Sequence, residues 1–420
     1  MTTLTPTLKT TASLPPSTFI YRILPTGPRL NPYTYTTPPS SLAITASDDS
    51  LRFLDPATLS LLPAGVITKV HESVTCLERA DDAAGNLLVT AGRDGTVKMW
   101  DGRLRAKGAC VLRVDVPHKL VSAIVCDYEK SFLAAGIENP NDGPGDTPVY
   151  IWDIRSPSTP RLTLPDSHTD TLTTLSLHPS HPTLLLTSST DNLLSIFDTS
   201  AADEEDALYQ VINHGSAVAH AGFLLPADGN GEGDIFALGT DETVSFYALQ
   251  SSKEEDVEPS PRVMGDVRER LGVEYLVGVM GVGGERCVVG GKHSANALSM
   301  IPIRKNASSG PLAYDFDISR SLHFPGAHGE EIVRDVFVDI HTNTAYTVGE
   351  DSYIRAWSMP SSNTPAATST HPADMDIDDA EEEDATEKRG TEKEKRKKDR
   401  KEKRRDKKDK KKEKERFKPY

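Results

Sequence analysis

One turn-to-strand offset recurs along this 420-residue chain and constrains its fold more than any other feature. Asp94 precedes Trp100 by six residues, and the same interval separates Asp146 from Trp152, Asp191 from Phe197, Asp241 from Tyr247 and Asp351 from Trp357, with Asp48 standing likewise before Leu54. The surrounding lines LLVTAGRDGTVKMWD, LLLTSSTDNLLSIFD, AYTVGEDSYIRAW and IFALGTDETVSFY share one design. Each is an apolar run, a tight turn at an Asp, and a run of alternating apolar and polar residues closed by an aromatic, which reads as a β-hairpin. Upstream of most hairpins a His opens a short β-rich run: His71, His118, His168, His214 and His328. The strand-closing positions Leu54, Trp100, Trp152, Phe197, Tyr247, about Met300 and Trp357 lie about 45 to 57 residues apart, so seven units follow.

The sixth unit is degenerate. Its segment RCVVGGKHSANALSMIPI keeps the strand, turn and strand but has neither the Asp nor the aromatic. Polar, Gly/Pro-rich inserts at 138–145, 227–233 and 251–261 lengthen the units and belong in surface loops.

The pattern resembles the WD repeat family. That resemblance implies an all-β fold, a seven-bladed WD-repeat β-propeller in which each unit is a four-stranded blade. His71, Thr90, Asp94 and Trp100 match the family's structural tetrad, a chain of hydrogen bonds tying loop, strands and turn together. His328, Thr347, Asp351 and Trp357 form a second set, and His168, Thr187, Asp191 and Phe197 a third whose Phe has no indole N–H to complete it. The stretch from Ser167 to Asp198, EEDAL at Glu204 to Leu208, GDVRE at Gly265 to Glu269 and the run from Tyr275 to Gly291 look like the branch of the family that contains WD repeat-containing protein 89 and its fungal relatives.

The seventh unit ends on its third strand at Trp357, and a Ser/Pro/Thr-rich segment follows. The expected fourth strand is TFIYRIL, Thr18 to Leu24, which would latch the two ends of the ring and leave no open edge. The expected organisation is a disordered leader over 1–16, a propeller over 17–360, an acidic disordered linker over 361–387 and a basic tail over 388–420. The net charge of -15 averages unlike parts, being -18 over residues 1–372, -9 over 373–387 and +12 over 388–420. Neither C-terminal segment can bury enough apolar surface to offset the ordering of its chain, so the charged tail is expected to be disordered.

Several function classes drop out. The longest apolar stretch, about 271–291, is broken by Glu274, Glu285 and Arg286, so it cannot span a bilayer as a helix. His178 and His181 in LHPSHP have no third ligand nearby and read as a Pro-terminated turn. Asp228, Asn230, Glu232 and Gly233 imitate half a calcium loop, but Gly239 stands where the bidentate Glu belongs. The glycines at 281–284 lack the order of a nucleotide-binding turn. A His, a Thr and an Asp suggest a hydrolase, yet a catalytic triad is unique whereas this set repeats. No catalytic residue, metal or cofactor is therefore expected. Cys76, Cys110, Cys126 and Cys287 read as reduced core thiols.

What remains is a non-catalytic protein–protein interaction scaffold, expected to be a monomeric propeller within a nuclear or ribosome-associated assembly. The resemblance implies that partners bind the face formed by the Asp turns and His loops, where Arg93, Asp170, Thr190, Thr240, Glu330 and Glu350 stand. Lys395, Arg396, Lys397, Lys398, Arg400, Arg404 and Arg405 read as a nuclear import signal, and so dense a cationic run is also suited to RNA or ribosomal contact. The nucleus, including the nucleolus, is the expected location, with the cytoplasm as the alternative. The alternative function is an acidic propeller acting as a chaperone for a basic client such as a ribosomal protein or histone.

Overall fold

A computed structural model describes residues 1–31, 34–104, 108–224, 233–251 and 258–360. They form a seven-bladed β-propeller in which the first strand of every blade lines a central cavity of about 530 Å³. Blade 2 shows the plan: Val74–Arg79, Leu87–Gly92, Thr96–Asp101 and Cys110–Asp115 pair antiparallel in chain order from the cavity outward. Blade 6 is the exception, its third strand Ala297–Lys305 pairing with both Tyr314–Phe316 and Leu322–Pro325.

No single core serves the whole ring. Seven apolar clusters each lie between two neighbouring blades, as where Trp100 and Leu88 of blade 2 meet Phe53 and Leu51 of blade 1. A middle strand is therefore covered on both faces, and Leu184–Ser189 is buried at every residue. The expected apolar–polar alternation of the third strands does not put their polar members in water. Lys98 lies 17% exposed and donates to the Val70 carbonyl at 2.5 Å, while Arg52 donates to the Ala12 carbonyl at 2.8 Å.

A β-bulge falls near the start of the first strand in every blade, at Tyr21, Thr75, Ser122, Thr173, Ala219, Val277 and Arg334. Each extra residue bends the strand at one rim of the cavity. Two of the bulged hydroxyls clip a blade to the next, Thr75 Oγ1 to the Val121 carbonyl and Ser122 Oγ to the Leu172 carbonyl, each at 2.6 Å.

Closure of the ring differs from the sequence expectation. The fourth strand of blade 7 is Thr5–Thr10, antiparallel to Ile354–Ser358, while Thr2–Thr3 runs parallel to Leu322–Pro325 of blade 6. The segment TFIYRIL instead supplies Ile20–Thr26, the cavity-lining first strand of blade 1. Residues 1–16 are thus structural rather than a disordered leader, and Leu4 is 1% exposed against blades 6 and 7. The physical reason is burial. Ile20 and Ile23 are 0% and 1% exposed and suit an inner strand, whereas the Thr-rich TPTLKT is exposed along most of its length and suits an outer edge. Between blades 1 and 7 Arg22 reaches Asp335 at 3.6 Å, and Asp335 Oδ2 accepts from the Ile23 N–H at 2.9 Å; on its other side Arg22 reaches Glu78 of blade 2 at 2.9 Å.

The cysteines need one correction. Cys126 and Cys287 are buried and Cys76 is half-buried, but Cys110 is exposed on the outer strand of blade 2.

Candidate functional site

The Asp turns mark the end of the propeller where the residues singled out from the sequence stand. Except at Asp146, where Pro148 stands two residues on and has no N–H, each turn Asp accepts the backbone N–H two residues on, as Asp94 does from Thr96 at 3.1 Å, Asp191 from Leu193 at 2.9 Å and Asp351 from Tyr353 at 3.1 Å. The residue between is left-handed in five turns, with φ of 57° at Asp49, 74° at Gly95, 76° at Asn192, 65° at Glu242 and 67° at Ser352.

Three His–Thr–Asp networks hold these turns. In blade 2, His71 Nδ1 lies 3.0 Å from Asp94 Oδ1 and His71 Nε2 2.7 Å from Thr90 Oγ1, which accepts from Trp100 Nε1–H at 2.8 Å. In blade 7, His328 lies 2.6 Å from Asp351 and 2.9 Å from Thr347, whose Oγ1 accepts from Trp357 Nε1–H at 3.0 Å. In blade 4, His168 lies 3.0 Å from Asp191 and 2.7 Å from Thr187, and Phe197 fills the indole's place with no donor. The consistent proton arrangement is a neutral imidazole donating from Nδ1 to the carboxylate and accepting at Nε2 from the hydroxyl. Burial lowers the pKa of His71 and His328, the Asp opposing it only in part. Burial pushes the carboxyls the other way, but His328 and Arg355 outweigh it and bring Asp351 down to about 2. Thr90, Thr187 and Thr347 are each 0% exposed, so none of these hydroxyls can meet a substrate. The networks fasten a scaffold.

Sequence reasoning missed a fourth partner. A cation stands four residues after the turn Asp in blades 1, 2 and 7, where Arg52 meets Asp48 at 2.7 Å, Lys98 meets Asp94 at 4.0 Å and Arg355 meets Asp351 at 2.7 Å. The signal was legible as Asp-x-x-x-Lys/Arg. It looked like solvent-facing alternation because the neighbouring blade that covers it is remote in sequence.

Elsewhere the network is rewired. Ala237 occupies the hydroxyl position of blade 5, so His214 turns to Tyr247 at 3.0 Å and Thr243 at 3.1 Å, and Ser216 reaches Asp241 at 3.0 Å. In blade 3 His118 Nδ1 lies 2.5 Å from the Tyr150 hydroxyl. His178 Nδ1 accepts from the backbone N–H groups of Ser180 and His181 at 3.1 and 2.9 Å, which makes it a turn former. No cluster of three or more His, Cys, Asp or Glu suited to a metal occurs among the described residues. Asp228, Asn230 and Glu232 lie outside the described residues, as do Lys395, Arg396, Lys397, Lys398, Arg400, Arg404 and Arg405.

Arg93, Thr190, Thr240 and Glu350 occupy one equivalent slot. Their backbone N–H groups donate to Ser73, Thr171, Ala217 and Ile332 carbonyls at 2.8 to 3.0 Å, so all four mark the same end of the propeller. Two of the charges are already engaged. Arg93 makes a bidentate pair with Glu138 at 2.8 Å, and Glu350 accepts from Arg334 Nε at 2.7 Å. Asp170 accepts from Asn139 Nδ2 at 3.3 Å, and Glu330 is exposed, its backbone carbonyl facing His293. Glu138 and Arg334 thus belong to this surface, with Asn139 buried beneath it, although the sequence did not single them out as site residues. No helix among the described residues is long and apolar enough to cross a membrane.

The WD domain, G-beta repeat model matches residues 65–101 and 158–198, the first enclosing the tetrad of blade 2 and the second that of blade 4. The chain is 32% identical over 320 residues to an uncharacterized WD repeat-containing protein of Saccharomyces cerevisiae, covering 74% of each chain. It is 26% identical over 332 residues to WD repeat-containing protein GTS1 of Arabidopsis thaliana, covering 76% of this chain and 78% of that one. It is 22% identical over 285 residues to a WD repeat-containing protein 89 homolog of Dictyostelium discoideum, covering 67% and 70%. With a relative this similar across most of both chains, and with His–Thr–Asp networks joined in three of seven blades, this chain belongs to the WD repeat family.

Proposed function

We propose that this propeller is a non-catalytic protein–protein interaction scaffold serving a nuclear or ribosome-associated assembly, with partners held on the end that carries the Asp turns and His loops. One observation carries the reading: Arg93, Thr190, Thr240 and Glu350 stand in one equivalent slot of four blades, their backbone N–H groups fastened to neighbouring carbonyls at 2.8 to 3.0 Å. A rigid platform of this kind lowers the ordering cost of docking. The basic segment around Lys395 to Arg405 supports the nuclear location. Affinity purification with mass spectrometry of the full chain, at low and high salt, tests it. A stable set of partners persisting at high salt and lost in an Arg93→Glu/Glu350→Arg double variant supports the scaffold; a variant that keeps every partner overturns this choice of face.

A second reading is favoured by the charge of -18 over residues 1–372, which would attract a basic client such as a ribosomal protein or histone. Co-purification of a single basic protein that is lost as salt rises would select the chaperone reading. Imaging a fluorescent fusion with and without residues 361–420 tests the nuclear location, which requires loss of nuclear signal in the shortened chain.

A further inference from the structure

A groove of about 720 Å³ lies between the outer parts of blades 3 and 4. One wall is Leu162–Leu164, the outer strand of blade 3 and the terminal strand of its sheet. It has three residues, where the outer strands of blades 1, 2, 4 and 5 have seven, six, six and five. The opposite wall is the helix Glu204–Ala207, formed by the EEDAL segment that the repeat pattern does not require. Asp203 caps this helix, accepting from Asp206 N–H at 3.0 Å, and Glu204 spends its carboxylate on blade 3, accepting from Asp166 N–H at 3.1 Å and from the Ser167 hydroxyl.

What these contacts leave over is informative. The exposed side chains of Asp166 and Glu205 line the groove with negative charge, and exposed Asp206 stands next to Glu205 on the helix. Its cation, Arg161, already donates to the Thr199 carbonyl at 2.8 Å and lies against the Phe132 ring. Leu208, 45% exposed, provides an apolar side, and Val211, 51% exposed, continues it along the outer strand of blade 4. A terminal strand offers main-chain pairing to an extended guest, while alternate side-chain pockets set its specificity.

We propose that this groove takes an extended, basic segment of a partner protein, added as a fifth strand to blade 3, with Lys or Arg toward Glu205 and Asp206 and intervening small apolar side chains toward Leu208. The proposal rests on the interaction-scaffold reading and assigns it a second surface. Charge complementarity selects the occupant: an acidic segment would be repelled, and a helix could not use the strand edge.

The test is fluorescence anisotropy of a labelled Lys-Val-Lys-Val-Lys-Val-Lys peptide with the full chain, with hydrogen exchange read at residues 162–164. Binding is expected to weaken about tenfold in the Glu205→Lys/Asp206→Lys variant and about tenfold when the central Val of the probe is replaced by Pro, which removes a ladder donor and keeps the charge. It should change less than about twofold in the Glu330→Lys/Glu331→Lys variant on the Asp-turn end. Exchange at residues 162–164 should slow on binding. No binding by the unaltered chain, equal loss in both charge variants, an unaffected Pro probe or unchanged exchange overturns the groove. The Pro probe needs no protein variant, so a groove variant that fails to fold leaves the proposal testable. Loss confined to the Glu330/Glu331 variant would discard the groove while leaving the scaffold reading intact; that reading fails separately if no protein co-purifies.

Discussion

Blades 5 and 7 carry the same turn Asp at the same distance from a closing aromatic, and each has an upstream His. In blade 7 the His, Thr, Asp and Trp are joined at 2.6 to 3.0 Å, and Arg355 adds an ion pair to Asp351. In blade 5 Ala237 stands at the hydroxyl position and Tyr247 replaces the Trp, so His214 turns to the Tyr247 hydroxyl and Thr243, and Asp241 is reached by Ser216 and Thr243. The turn survives in both blades because the Asp satisfies its local backbone regardless. The hydroxyl decides whether that turn is also fastened to the inner strands, since only it can donate to the His and accept from the indole at once.

Breaking blade 7 should therefore cost more than any equivalent change in blade 5. The largest effect is expected from deleting residues 1–10, which removes the closing strand and opens an edge on blade 7. A loss on the order of 5 kcal/mol, and a melt lowered by roughly 10 °C, should appear in calorimetry. An unchanged melt would show that the latch is dispensable.

Next, Thr347→Val strands both His328 Nε2 and the Trp357 N–H in a buried site and should cost about 2–4 kcal/mol in denaturant unfolding. Asp94→Ala should cost about 1–3 kcal/mol by unmaking the His71 and Thr96 bonds of blade 2. Asp241→Ala in blade 5 should cost less than either, because a more exposed Asp is lost; an equal cost would remove the distinction between the blades.

Acid should weaken the fastened blades in stages. His71 and His328 have folded pKa values below the usual 6.5, so the unfolded chain binds more protons, and their contribution to stability is lost as pH falls below about 6.5. Asp351, down to about 2 from an ordinary 3.8, contributes stability that is full above 3.8 and lost as pH falls toward 2. Stability of the intact chain should thus fall in two stages on acidification. In Thr347→Val the blade 7 part of this loss should shrink, measured by unfolding across pH 2–7.

The smallest effect sharpens the comparison within the turn. Ser352 holds φ of 67° where blade 2 has Gly95 at 74°, so Ser352→Gly should stabilise by up to about 1 kcal/mol. The reverse change, Gly95→Ser, should destabilise by a similar amount or more, since a Cβ there would lie 3.1 Å from Lys119 Cα.

Much of this was legible in the residues. The Asp-to-aromatic interval located the hairpins, and the His, Thr and Asp spacings picked out atoms that meet at 2.6 to 3.0 Å. These signals are short-range or repeat with the unit, so one chain displays them several times. The assignment of TFIYRIL as the closing strand failed because two β-rich segments, Thr5–Thr10 and Ile20–Thr26, compete for the role. Their difference lies in burial against blades that are hundreds of residues away. Cys110 misled for a similar reason, being apolar in sequence context yet placed on an outer strand.

By itself, then, the sequence determined the repeat, the number of units, the turn chemistry and the three His–Thr–Asp sets, because each is set by local spacing and by residue type. Tertiary structure alone decided which N-terminal segment closes the ring, that the buried Arg52, Lys98 and Arg355 brace their turn Asp residues, and that EEDAL stands across a groove from the edge of blade 3. Those outcomes depend on which blade lies next to which, and adjacency around a ring brings together residues that no local periodicity connects.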